Sequence, residues 1–156
     1  MRHDPELLKL AEWYEDLSFK VHKMGEVLIN DKISETLTPD QGAILRYLYK
    51  NQPCTSSSLS KAFYVKKSAI TAIINRLFKK ELIKRERSED DRRVVYLLLT
   101  DKGEQLYMET SQQSSHIVAS LMSQFDDEEI RSFMNTYEKL ANTLEQQIEN
   151  MKGVEE

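Results

Sequence analysis

The sequence predicts a mainly α-helical chain in which three short helices and a β-hairpin form a central lobe between long amphipathic helices. Apolar seams with heptad spacing at both ends of the chain predict the flanking helices. A switch of hydrophobic period from helical to alternating near residue 82 predicts the hairpin. A third observation singles out the centre: residues 61–93 hold eleven basic and five acidic residues, a net of +6, whereas the rest of the chain carries −10. A basic island in an acidic scaffold directs a polyanion to one face, although a solvated charged surface would have the same composition.

Composition bounds the class. The chain has 156 residues, 40% of them hydrophobic and 31% charged, which suits one domain with an accessory element rather than a disordered tail. No run approaches the ~20 apolar residues of a membrane span. The segment MRHDPELLKL lacks the apolar stretch and small-residue cleavage site of a secretory signal. A single cysteine, Cys54, cannot form an intrachain disulfide. The expectation is a cytoplasmic protein without membrane contact.

The first seam runs through Leu7, Leu10, Tyr14, Leu17, Val21, Met24 and Leu28 at alternating spacings of three and four, predicting a helix of roughly 30 Å or more. Trp13, Phe19 and Ile29 lie off that seam, and a helix apolar on more than one side needs more than one neighbour. Thr38-Pro39-Asp40-Gln41 reads as a helix start, with threonine as N-cap, proline at the first helical position and glutamine completing a capping box. Ile44, Leu45 and Leu48 supply the buried face of that helix, and Asn51-Gln52-Pro53 ends it. Thr55 caps a short helix that turns Leu59, Ala62 and Phe63 inward. From about residue 66 to 80 a third helix buries Ile70, Ile73, Ile74 and Leu77. Residues 82–87 and 93–99 are β-prone and flank the polar stretch Ser88-Glu89-Asp90-Asp91-Arg92, so they predict an antiparallel hairpin with a charged tip. Thr100-Asp101 caps a helix reaching about Gln124, and Asp126 with Glu129 starts the last one. Its seam is Ile130, Phe133, Tyr137, Leu140, Leu144, Ile148 and Met151.

The outward side of the third central helix carries Ser68, Thr71, Asn75 and Arg76, with Lys66 and Lys67 at its start. An α-helix fits the ~12 Å major groove of duplex DNA, where each base pair presents a distinct set of donors and acceptors. Short hydroxyl, amide and cationic side chains match those groups, and a helix N-terminus favours phosphate oxygens. An ordinary amphipathic surface helix has the same pattern, so this helix alone does not decide. The hairpin tip adds Arg92 and Arg93, side chains thin and planar enough to enter a narrow minor groove. Asp91 beside them would repel phosphate unless it orients an arginine through a charge-assisted hydrogen bond.

Leu37-Thr38-Pro39-Asp40-Gln41, Leu59-Ser60-Lys61-Ala62, Lys67-Ser68-Ala69-Ile70-Thr71, Asn75-Arg76-Leu77, Leu82-Ile83-Lys84-Arg85, and Asp91-Arg92-Arg93 through Leu99-Thr100-Asp101-Lys102-Gly103 together resemble the MarR family of bacterial winged helix-turn-helix transcription regulators. The resemblance spans about residues 37–107. It implies a DNA-binding lobe over residues 37–100 and a helical dimerisation region over residues 5–34 and 101–151, integrated into one domain. It also implies a recognition helix over residues 66–76 and a wing-tip contact by Arg93 with Arg92, steadied by Asp91. Leu10, Tyr14, Leu17, Leu140, Leu144 and Ile148 would then lie in the homodimer seam. The implied function is a sequence-specific double-stranded DNA-binding regulator, a repressor relieved by a small-molecule effector and bound to a pseudo-palindromic operator as a homodimer.

Four positions depart from the family pattern: Tyr64 and Glu81 stand where glycine is usual, Lys66 where a capping serine is common, and Leu98 where the residue is more often polar. Trp13, Tyr14, His22, Arg46, Tyr47 and Tyr49 are candidates to line a pocket for a small aromatic effector, although aromatics at helical spacing also build cores and interfaces. Two alternatives keep the same fold: a dimer used as a protein-interaction module, and a redox sensor working through Cys54 near a helix start, against which a merely structural thiol is the plainer reading. His3, His22 and His116 are isolated, so no metal site or other cofactor is expected. Four scattered glycines form no phosphate-cradling loop and no nucleophile–base motif is apparent, so no enzymatic activity is expected.

Overall fold

The computed structural model describes residues 4–32 and 37–152; residues 33 and 34 of the expected dimerisation region, and His3, lie outside the described residues. In chain order the elements are α1 (Pro5–Lys32), α2 (Pro39–Asn51), α3 (Ser56–Ala62), α4 (Lys67–Lys79), β1 (Ile83–Arg87), β2 (Val95–Leu99), α5 (Asp101–Met122) and α6 (Asp127–Lys152). Two compact units divide the chain, Met1–Ser115 and His116–Glu156.

In the first unit, the helix starts follow from local hydrogen bonding. Thr38 Oγ1 accepts from the Gln41 amide, and Gln41 Oε1 accepts from the Thr38 amide, which closes the capping box of α2. The same Gln41 oxygen, almost fully buried, also accepts from Lys80 Nζ at 3.0 Å and so ties the start of α2 to the end of α4. α3 has a second box, in which Ser58 rather than a longer side chain returns the bond to the Thr55 amide at 2.9 Å. Such caps contribute about 1 kcal/mol each by satisfying N–H groups that have no intrahelical partner.

The core of this unit lies among α2, α3, α4 and the hairpin. Ile44, Leu45, Leu48, Leu59, Ile70, Ile74, Leu77, Leu82, Ile83, Leu97 and Leu99 are all buried in it. Ile73 and Phe63 are half-buried against it, but Ala62 faces solvent, contrary to the inward position expected from sequence. The reason is length. α3 has seven residues and ends at Ala62, so its single buried anchor is Leu59.

β1 and β2 pair antiparallel from Ile83↔Leu99 to Arg87↔Val95. β2 is held on its other side as well, because Cys54 and Leu97 exchange backbone bonds of 3.3 and 2.7 Å. Leu99 N adds a bond to Gln52 Oε1 at 2.9 Å. The second strand begins two residues later than the sequence pattern predicts. Arg93 and Val94 belong to the tip instead, since the Val94 amide bonds Asp91 O at 2.8 Å and the Ser88 amide bonds Val94 O at 3.0 Å.

The end of α4 and the start of α5 meet at Glu81, Leu82 and Thr100. The Thr100 hydroxyl caps α5 by accepting from Gly103 N at 3.0 Å, and it donates to Glu81 O at 2.7 Å. Gly103 is buried so closely against Leu82 that a Cβ there would overlap the Leu82 carbonyl oxygen. This close approach is the physical content of the Leu-Thr-x-x-Gly motif. Tyr64 (φ 53°) and Glu81 (φ 60°) both adopt the left-handed conformation that usually selects glycine.

α1 packs little of its apolar surface: Trp13 is 63% exposed and Phe19 69%. All seven residues of its heptad seam are likewise exposed. In the second unit, Asp126 Oδ1 accepts from the amides of Glu128 and Glu129, and Glu129 returns a bond to the Asp126 amide, so α6 starts with a capping box. Phe133 and Tyr137 stack with ring centroids 5.4 Å apart, and with Leu144 and Met151 they form an exposed apolar face. Among the described residues no helix is long and apolar enough to cross a membrane.

Candidate nucleic-acid interface

α4 is amphipathic in the strict sense. Ile70, Ile74 and Leu77 anchor it in the core, while Lys67, Ser68, Thr71, Ala72, Asn75, Arg76 and Lys79 are exposed. Lys66 is the N-cap residue, with extended backbone and no side-chain capping bond, so the helix begins one residue later than the sequence pattern predicts. The amides at this start are therefore not satisfied by a capping side chain, and two lysines stand beside them. That combination favours a phosphate oxygen. The Thr71 hydroxyl donates to Lys67 O at 2.8 Å, which leaves its oxygen as an outward acceptor and its methyl as an apolar contact.

The face has a member that the sequence reading missed. Arg85, on β1, donates to Asn75 Oδ1 at 2.6 Å, and its guanidinium carbon lies 5.1 Å from the centroid of the Phe78 ring. Nothing in the local pattern marks Arg85 apart from its neighbours Lys84 and Arg87. Only the packing of the hairpin along α4 brings it to Asn75.

The wing tip places charge in a fixed geometry. Arg93 donates to Asp91 through its backbone amide (3.0 Å), Nε (3.0 Å) and Nη2 (3.1 Å). Arg93 itself remains 91% exposed, so the fork is braced without being withdrawn from solvent. The hydrogen bonds from the Arg93 side chain, and then from its backbone, hold the Asp91 carboxyl below its ordinary pKa. Arg92 is also exposed and has no ion-pair partner among the described residues.

A helix presenting donors beside a β-hairpin that ends in braced arginines has counterparts among known proteins. The family model described as "MarR family" matches residues 37–95. A Bacillus subtilis protein, the uncharacterized HTH-type transcriptional regulator YsmB, is 32% identical over 124 residues, covering 80% of this chain and 83% of its own. The chain belongs to the MarR family. The HTH-type transcriptional repressor MdtR, also from Bacillus subtilis, is 31% identical over 131 residues, with 83% and 84% of the two chains covered. Among solved structures, Streptococcus pneumoniae FabT in complex with DNA superposes with a TM-score of 0.76 at 26% identity, over 90% of this chain and 98% of that one. A MarR family protein from Bacillus stearothermophilus gives a TM-score of 0.75 at 24% identity, over 92% and 99% of the two chains, and shares the fold.

In this MarR-family transcription regulator the remaining candidates divide. Tyr47 packs edge-on against Phe63 with centroids 5.7 Å apart, and Tyr49 lies against Tyr107 of α5 at 4.5 Å. Arg46, Trp13, Tyr14 and His22 are exposed, and His22 lies 3.4 Å from Glu26. The tyrosines of α2 are thus engaged in the packing of the lobe. Cys54 fits the structural thiol of the sequence reading and not the redox alternative. It is buried beside β2, and burial pushes its pKa up, outweighing the hydrogen bond from Ser58. The reason is its place in the chain: Cys54 precedes the cap residue Thr55 and belongs to the bridge with Leu97, so its environment is the core and not the open end of α3.

Proposed function

We propose that this MarR-family protein is a repressor that binds pseudo-palindromic duplex DNA as a homodimer, with α4 in the major groove and the hairpin tip in the minor groove. One observation carries the reading: the exposed polar face of α4 stands in the same lobe as a wing whose Arg93 is braced by Asp91. In this reading Ser68, Thr71, Asn75 and Arg76 meet base edges or phosphates, Lys66 and Lys67 meet phosphates, and Arg92 and Arg93 enter the minor groove. FabT, captured on DNA, and MdtR, named a repressor, support it by likeness.

Homodimerisation is supported by the apolar faces of α1 and α6, which a single chain leaves in water. Leu10, Tyr14, Leu17, Leu140, Leu144 and Ile148 would contribute to the shared seam, in a helical region over residues 5–34 and 101–151 serving the DNA-binding lobe of residues 37–100. Two-fold symmetry then spaces the recognition helices by about one DNA turn, ~34–36 Å. Relief by a small aromatic molecule, and action in the cytoplasm, belong to the same reading.

The test is the salt dependence of binding to a duplex selected from a random library. Each neutralised phosphate contributes about −0.9 to the slope of log affinity against log salt. Arg92→Ala with Arg93→Ala should lower affinity and flatten that slope. If both stay at the wild-type values, the wing does not touch DNA.

A further inference from the structure

Resting on that reading of α4, we propose that Arg85 is a specificity-determining positioning residue, fixing which way the Asn75 amide faces the base edges. Asn75 is exposed on α4, and its side-chain Oδ1 accepts a hydrogen bond from Arg85 Nη2 at 2.6 Å. An asparagine amide has two chemically opposite ends that a half-turn about its last torsion exchanges. A guanidinium has donors only, so the end facing Arg85 must be Oδ1. The Nδ2 donors are thereby turned away from β1, toward whatever lies over the helix.

Arg85 is itself held. Its backbone sits in the β1–β2 ladder opposite Leu97, a buried residue bonded on both edges, and its guanidinium rests over the Phe78 ring. Asn75 and Phe78 are three residues apart and lie on neighbouring parts of one helix face, so one arginine spans both. The chain of support runs from the hairpin to Arg85 to the amide. With Oδ1 occupied, Asn75 offers N–H to an acceptor on the base edge, which guanine N7 and O6, thymine O4 and adenine N7 present in the major groove. Cytosine presents a donor there and is disfavoured. Holding the amide in one state also removes a rotamer cost at binding, worth about two- to tenfold in affinity.

Selection of bound duplexes from a random library, run in parallel on variants of the full chain, tests this. Asn75→Ala first identifies the base pair that Asn75 reads, as the position whose preference collapses. If none collapses, the placement of Asn75 at a base edge fails, and the proposal for Arg85 with it. With the position known, Arg85→Met should lose most of the preference there, on the order of tenfold, while other positions and the salt slope stay as in wild type. Adding Arg85→Met to Asn75→Ala should change nothing further at that position. Arg85→Lys keeps the charge and can return one bond to Oδ1, so it should restore part of the preference. Retained preference in Arg85→Met overturns the proposal alone, leaving Asn75 as a reader. A uniform loss of affinity with a flatter salt slope also overturns it, because Arg85 would then be a phosphate contact. Both side chains are at the surface, and a thermal melt of each variant confirms the fold before selection.

Discussion

Asp91 and Arg93 form a closed unit at the wing tip: one carboxylate accepts three hydrogen bonds, all 3.0–3.1 Å, from the backbone and side chain of a residue two positions away. The bonds to Nε and Nη2 fix the guanidinium plane, and the bond to the amide fixes the turn that carries it. An acidic residue is thus spent on aiming a basic one.

The sign of the Asp91→Ala effect separates bracing from simple charge. Removing a negative charge next to DNA would strengthen binding by Coulomb attraction alone. Loss of the brace should instead weaken it, by about two- to tenfold, because Arg93 must then be ordered on binding. Fluorescence anisotropy on one duplex at fixed salt measures the difference, and tighter binding by the variant would refute the bracing role.

The same pair sets a pH dependence. The folded-state pKa of Asp91 lies below the ordinary aspartate value of 3.8, so its bonds stabilise the wing above that value and are lost as pH falls through the lowered one. Across the neutral range the tip should not respond to pH. A carboxyl NMR titration of Asp91 should find its midpoint below 3.8, and a midpoint at or above that value would contradict the geometry.

Gly103→Ala should be among the most damaging single-methyl changes in the chain. The added Cβ falls on the Leu82 carbonyl, a backbone atom that also accepts from Thr100 N at 3.1 Å. Relief requires α5 to move away from the β1 start, at a cost on the order of 3 kcal/mol or more. A melting temperature unchanged from wild type would show that this approach is looser than described.

Glu81→Gly should act in the opposite direction. Glu81 holds φ at 60°, and its side chain, 85% exposed, makes a long ion pair with Lys102 at 3.8 Å. Relieving a left-handed non-glycine residue at a helix end gains about 1 kcal/mol, more than an exposed pair of that kind contributes. Urea denaturation should show a higher midpoint with the same slope, and a lower one would mean that the side chain matters more than the backbone.

The dimer proposal predicts that Leu17→Arg or Leu144→Arg yields a species of half the mass in sedimentation. In the single chain these positions are 43% and 52% exposed, so the helical signal in circular dichroism should survive. Affinity for the full operator should drop about 100-fold or more as the two half-sites lose their linkage. A variant that stays dimeric would move the interface elsewhere.

What the sequence determined by itself lies within a few residues along the chain. The capping boxes at Thr38 and Asp126, the Thr100 cap, the buried face of α4 and the Asp91–Arg93 brace all join residues at most four apart or follow one helical period, so spacing encodes them. Even the departures at Tyr64 and Glu81 were legible, because the backbone kept the left-handed turns although the residues there are not glycine. Tertiary structure decided the rest. It joined Arg85 to Asn75 across ten positions and Lys80 to Gln41 across thirty-nine, shortened β2 by pulling Arg93 and Val94 into the tip, and buried Cys54 against Leu97. Such contacts depend on how elements pack. A local pattern can show that a residue is polar and outward, but packing selects which other outward residue it meets.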